Sequence, residues 1–250
     1  TANYFTIDYR YSNQGLFTLP GGGSFTQYSG TWSLVNGTGA RYFNGASDRG
    51  YGSFSPHSDV TNFTFIVEFF HQKGPSGHTT EVIASIYTQH WLLGGLQSDK
   101  GNYIIVAITE ADTDFPHVLV YIGAQASPIG DIYHDKQMAQ IYARIDNGKW
   151  YTLKITYNVN QHTYLAYLNN YFWCRGNYTL PVSKWLKADE TYILTVGGYP
   201  EPATWSGWGD WFNGYIHYIS FTDYYTTPFV GTEVALWYHF DEGDSGYITD

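Results

Sequence analysis

Polar and apolar residues alternate along much of this chain with the period of a β-strand. In KWYTLKITYNVNQHTYLAYLNN, residues 149–170, Tyr151, Leu153, Ile155, Tyr157 and Val159 fall two apart, separated by Thr152, Lys154, Thr156 and Asn158. That spacing gives a strand one buried face. Turn formers interrupt it from Asn158 to His162, it resumes over Tyr164–Leu168, and Asn169-Asn170 ends it. Two adjacent antiparallel strands follow. Near the start, FTIDYRYSN alternates Phe5, Ile7, Tyr9 and Tyr11 as an opening strand, and PGGGSFTQYSG, residues 20–30, reads as a flexible connection. TWSLVNGTGARYFNG then carries Trp32, Leu34 and Tyr42-Phe43 toward a turn at Asn44-Gly45. NFTFIVEFFHQ, from Asn62, is dense in β-formers and ends at the loop KGPSGH; EVIASIYTQHWLLGGLQ, NYIIVAITEA and HVLVYIGAQ predict three more strands.

Two segments carry mixed signals. In DKQMAQIYARIDNG, residues 135–148, Met138, Ile141, Tyr142 and Ile145 fit a helical stripe, whereas Ile141, Ala143 and Ile145 fit a strand leading into Trp150. The strand is preferred. SKWLKADET, residues 183–191, reads as one helical turn capped by Ser183. TYILTVGGYP then passes through a Trp- and Gly-rich loop into WFNGYIHYISF, where Tyr215, Ile216, Tyr218 and Ile219 are again β-formers. Val234, Leu236, Tyr238 and Phe240 alternate as a last strand. No repeat or linker divides the chain, so residues 1–250 form one expected domain, with 233–250 closing its own sandwich or pairing with a neighbouring subunit.

The order "WYTLKITYN", "YLAYLNN", "ILTVGG", "FNGYIHYISF" resembles the second half of laminin-G-like, concanavalin A-like jelly rolls. The likeness spans about residues 30 to 221 and departs at Asn169-Asn170, where the family usually has Asp-Gly. It implies an all-β fold, an antiparallel β-sandwich of the jelly-roll kind with little or no helix. "ALWYHFDEGDSGYITD" also looks like the way laminin-G-like domains begin.

Composition agrees: 20% of residues are aromatic, with 25 Tyr and 9 Trp, and only 14% are charged, which favours sheets. The formal charge of −10 disfavours nucleic acid and anionic membranes as partners. No apolar run reaches the length of a membrane span, and Thr1 in place of an initiator Met fits removal of a leader, hence a secreted or cell-surface protein. The single Cys174 leaves no intramolecular disulfide and is expected as a buried thiol.

Catalytic patterns are sparse. Retaining glycosidases on such sandwiches need two carboxylates roughly 5 Å apart. The nearest candidates, Glu110, Asp112 and Asp114, sit in a predicted loop and read as solvated turn residues, so no catalytic residue is assigned. The nine His form no metal-binding pair. No cofactor is required. Among ions calcium fits best, at Asp241, Asp244 and Asp250 with Glu242 between them, although solvation is the first reading of that cluster. For sugars, Tyr199, Trp205 and Trp208 in YPEPATWSGWGDW offer rings to stack on a pyranose, with Asp210 to fix hydroxyls; Trp211 is expected in the core. Asn36, Asn62 and Asn177 each open an N-glycosylation triplet. These features favour a non-enzymatic, glycosylated surface protein that self-associates, as a filament or surface-layer subunit. A carbohydrate-binding lectin-like module is the alternative, and a glycoside hydrolase or lyase comes third.

Overall fold

The computed structural model describes residues 3–11, 16–19, 23–88, 102–124, 137–158, 163–177, 186, 188, 190–200 and 208–223. In chain order the first nine strands are β1 (Asn3–Asp8), β2 (Leu16–Thr18), β3 (Ser24–Tyr28), β4 (Thr31–Val35), β5 (Thr38–Asn44), β6 (Arg49–Phe54), β7 (Asn62–His71), β8 (Thr80–Thr88) and β9 (Asn102–Thr109). The rest are β10 (His117–Ala124), β11 (Gln137–Arg144), β12 (Trp150–Asn158), β13 (Thr163–Leu168), β14 (Tyr171–Asn177), β15 (Tyr192–Val196), β16 (Tyr199–Pro200), β17 (Trp208–Gly209) and β18 (Asn213–Thr222). No helix among the described residues is long and apolar enough to cross a membrane.

The strands form two facing antiparallel sheets. The first runs β14-β13-β12-β7-β18-β1-β2, with β5 paired to the start of β18 and β4 beside β5; the second runs β11-β10-β9-β8-β15-β6-β3. Register decides which side chains meet. Phe63, Phe65 and Val67 of β7 lie opposite Tyr157, Ile155 and Leu153 of β12, and Phe65 and Val67 lie opposite Phe221 and Ile219 of β18. Shifting one strand by a residue would turn this whole apolar set to the outside. Between the sheets the rings interlock: Phe5 of β1 lies 5.7 Å from Phe54 of β6 and 5.7 Å from Phe221. Each such fully buried ring is worth about 1.5–3 kcal/mol.

Among the described residues the long strands predicted from the pattern are present, and the mixed signal before Trp150 resolves as β11. The pair Asn169-Asn170, at φ 53° and 67°, turns β13 into β14, because asparagine tolerates the left-handed region that Asp-Gly would otherwise supply. Four expectations are corrected. Residues 20–30 include strand β3, paired with β6. The tight turn of the 31–44 region is Asn36-Gly37, at φ 52° and 81°, joining β4 to β5, whereas Asn44-Gly45 begins the crossing to the second sheet. Tyr11 is 74% exposed because β1 ends at Asp8. At the predicted helical turn, Leu186 instead pairs with Val60 through two backbone hydrogen bonds of 2.8 and 3.3 Å. Residues 233–250 lie outside the described residues.

Candidate functional site

The Trp-rich loop leaves the second sheet after β15 and returns as a short ribbon in which Tyr199 pairs with Gly209 and Pro200 with Trp208. Just beyond, Asp210 adopts φ 49°. Its carbonyl accepts the Val82 N–H at 2.7 Å, and Trp211 makes a parallel bridge to Val82. This docks the end of the loop on the first turn of β8. Gly77, His78, Thr79 and Thr80 form the opposite wall, and between the walls lies a cleft of about 270 Å³ that Asp210 and Trp211 complete.

A buried network holds both walls. Glu81, the residue after Thr80, is fully buried, and its Oε2 accepts the Asn213 N–H at 2.8 Å. The same oxygen lies 3.3 Å from Nε2 of His71, also fully buried, though without hydrogen-bond geometry. Asn147 donates its amide to the Thr113 carbonyl, so its oxygen faces His71 and takes the Nδ1 proton at 2.7 Å. With Nδ1 donating to Asn147, Nε2 is the ring atom turned toward this carboxylate in the buried space between the sheets. Gly74 closes over Glu81, where an added Cβ would stand 2.3 Å from Oε1. Gly197, at φ 77°, backs the other wall: it donates to Ile83 and accepts from Phe212.

Trp211 is half-buried, and Phe212 takes the core position expected of it, at 0% exposure. Strand alternation explains the exchange, since Phe212 points inward and its neighbour outward. The Arg49 guanidinium lies 5.7 Å from the Trp211 ring and 4.9 Å from Tyr28, a cation–π arrangement that holds the indole. The cleft therefore offers one positioned ring, a carboxylate, an imidazole and two threonine hydroxyls. That set suits a hydroxylated ring of about monosaccharide size.

Of the predicted sugar contacts, Asp210 lines this cleft. Tyr199 and Trp208 are placed by backbone pairing alone, their side chains lying outside the described residues, as Trp205 does entirely. So do Asp241, Glu242, Asp244 and Asp250, and the side chains of Cys174 and Asn177. Asn36 is exposed at its hairpin tip, while Asn62 Oδ1 is buried. Among the described residues no group of three or more His, Cys, Asp or Glu is placed to hold a metal. The 110–114 carboxylates have structural partners: Glu110 meets His117 at 3.0 Å, Asp112 accepts the Gly77 N–H at 2.9 Å, and Asp114 meets Lys73 at 2.8 Å. The wall at residues 77–80 carried no signal in the sequence beyond the glycines and proline of KGPSGH, residues 73–78, which read only as a loop.

No protein-family model matches the chain, and no curated protein sequence matches it. Solved structures do. The botulinum neurotoxin serotype D binding domain aligns at a TM-score of 0.51 and 10% identity, covering 95% of this chain and 51% of that one. The heptameric SAP-like pentraxin of Limulus polyphemus gives 0.47 and 13%, covering 74% and 76%. The CBM40 module of the Ruminococcus gnavus IT-sialidase, solved with α2,3-sialyllactose, gives 0.47 and 10%, covering 82% and 92%. At such identities the likeness concerns fold alone. The sandwich is concanavalin A-like, as the strand order implies.

Proposed function

We propose that this chain is a non-catalytic carbohydrate-binding module that acts outside the cell and holds a sugar ring in the cleft between residues 77–80 and Asp210-Trp211. The observation that carries the reading is the cleft itself. Its two walls come from distant parts of the sequence, and the residues that follow the first wall hold the second: the Val82 N–H donates to the Asp210 carbonyl and the Glu81 carboxylate accepts the Asn213 N–H. Binding then orders few groups, which favours affinity. Trp211 supplies a flat face for the C–H side of a pyranose, and Asp210 accepts from paired hydroxyls. Fold alone does not license this, because one sandwich serves many functions. Self-association, the reading favoured by the sequence, has in its support the strands that end the sheets among the described residues, such as β14 and β11.

The test is a glycan array of neutral and sialylated sugars probed with the whole chain and with Asp210→Asn and Trp211→Ala. Asn tolerates the positive φ at position 210, so the first variant changes charge with little strain. Bound signal on at least one glycan class, reduced about tenfold by either variant, is the expected result. An empty array, or signal that both variants leave intact, defeats the reading.

A further inference from the structure

The outer face of the first sheet carries a row of rings that the cleft does not use. β12, β7, β18 and β5 are successive neighbours there, and their registers set Trp150 opposite Phe70, Phe70 opposite Tyr215, and Tyr215 opposite Tyr42. Four rings thus cross four strands, a span of about 14 Å at roughly 4.8 Å per strand. Ring centroids are 5.5 Å apart for Trp150 and Phe70, 5.8 Å for Phe70 and Tyr215, and 5.0 Å for Tyr215 and Tyr42. Phe70 meets both neighbours edge-on, at 61° and 79°, and is recessed at 9% exposure. Trp150, Tyr215 and Tyr42 keep part of their surface in solvent.

A β-bulge makes the row possible. The register shift between Ile216 and Tyr218 lets Tyr215 and His217 both lie on the outer side while Ile216 and Ile219 stay in the core. His217 then stacks on Trp150 at 4.4 Å and bonds Glu68 through Nε2, which fixes the indole in place. The charges beside the row are paired: Glu68 with His217, and Asp8 with Arg10 through bonds of 2.9 and 2.7 Å. In a chain of net charge −10, rings rather than a run of like charges make up this patch. That composition suits an uncharged ligand better than a polyanion or a polycation.

We propose that this row is a flat binding surface for an extended, neutral polysaccharide, separate from the cleft. Rings in this arrangement accept the C–H faces of pyranose units. Trp150 and Tyr215 stand about 10 Å apart, two strand spacings, which matches alternate units of an extended chain and exceeds what one sugar covers. Tyrosine hydroxyls, Glu68 and Asp8 border the row as partners for sugar hydroxyls.

The experiment is co-sedimentation of the full chain with microcrystalline cellulose and with β-chitin, paired with thermal melting of each variant. The parent is expected in the pellet with at least one polymer. Tyr215→Ala and Trp150→Ala are expected to lower the bound fraction about tenfold or more at unchanged fold, while Tyr215→Phe retains it. Should Trp150→Ala melt early, Tyr42→Ser and Tyr215→Ala carry the comparison. Parent protein that stays in solution with both polymers overturns the proposal, as does a Tyr215→Ala pellet equal to the parent's. Sedimentation velocity without polymer completes the test: a parent dimer that Tyr215→Ala makes monomeric would assign the row to a second copy of the chain. Because the cleft is probed by Asp210 and Trp211 and the row by Tyr215 and Trp150, the two readings fail separately.

Discussion

In the first sheet, β7 points Phe63, Phe65, Val67 and Phe69 at the core and Thr64, Ile66 and Glu68 away from it; in the second, β9 buries Ile105 and Ala107 as fully as Ile104, Val106 and Ile108. Ile105 and Ala107 join Val82, Tyr87 and Ile193 in a second apolar cluster, so the middle of that sheet is dry on both faces. The sequence differs accordingly. NFTFIVEFFH interleaves Thr and Glu, whereas NYIIVAIT is an almost continuous apolar run, the pattern of a strand covered on both sides. The middle of the second sheet is thus packed on both faces, while the first keeps rings and ion pairs on part of its outer face. The two surfaces proposed for recognition lie on that outer face and where β8 begins.

The link between the sheets is the place to break this contrast. His71 ends β7 and Glu81 is the second residue of β8, next to Thr80 of the cleft wall, so the buried pair joins one sheet to the other. Glu81→Ala removes the partner of His71 and of the Asn213 N–H together, and the expected loss is about 3–5 kcal/mol in urea unfolding at neutral pH. The double replacement His71→Phe/Glu81→Leu is expected to recover only part of it, because the apolar pair needs no partner of its own but leaves the Asn213 N–H and the Asn147 oxygen without theirs. A Glu81→Ala chain as stable as the parent would show that the sheets do not depend on this contact.

The next largest effect separates the faces themselves. Ile104→Ala and Ile105→Ala are expected to cost alike, about 2–5 kcal/mol each, since each leaves a cavity in a packed cluster. On the first sheet the contrast returns: Phe65→Ala costs about 3–5 kcal/mol, and Ile66→Ala, half-buried on the outer side, about 1 kcal/mol. Unfolding midpoints for the four variants decide it. If Ile105→Ala were as mild as Ile66→Ala, the second sheet would have an open face after all.

Legibility follows the same division. The long strands were readable because each carries its own periodicity, and Phe212-Asn213-Gly214-Tyr215-Ile216 was readable because Phe212 and Ile216 must be buried while Gly214 lies against the Phe70 carbonyl. β3 and β6 were not. The glycines flanking β3 and within β6 suggest a loop, yet Gly50 is a packing position, where an added Cβ would come within 2.3 Å of the Phe25 ring. The two Asn-Gly pairs look alike locally, and only distant pairing separates the hairpin at Asn36-Gly37 from the crossing at Asn44-Gly45. Asp210 was readable from its Trp-rich surroundings. The facing wall was not, because the Val82 bridge that brings it there is a contact between segments far apart in the chain. The ring row is of the same kind: Tyr42, Phe70, Trp150 and Tyr215 come from four segments, and only the strand registers align them.

The smallest expected effect lies on the outer face of the first sheet, where Asp8 and Arg10 form a counterpart to the buried pair. Burial alone would push the Asp8 carboxyl up. Hydrogen bonds from the Arg10 side chain and backbone N–H, with the charges of Arg10 and His217, outweigh it and hold the carboxyl below its ordinary value. A carboxyl depressed in the folded state contributes stability that is complete above the unfolded value, about 3.9, and lost as pH falls through the folded one. Asp8→Asn should therefore cost the same at pH 7 and pH 5, and the gap to the parent should narrow progressively below pH 4. Its size is under about 1 kcal/mol, because the Arg10 side chain keeps 38% of its surface in water, where solvent and salt screen the charge. Urea midpoints of parent and variant at pH 7, 5 and 3 measure this, with 1 M NaCl as a control that shrinks the neutral-pH gap as well. A gap that stays constant to pH 3, or widens there, would mean that the variant acts through packing and that the outer-face pair contributes no charge-dependent stability. A gap as large as that of Glu81→Ala would remove the contrast between the two pairs, and with it the distinction drawn between an outer face open to solvent and the dry space between the sheets.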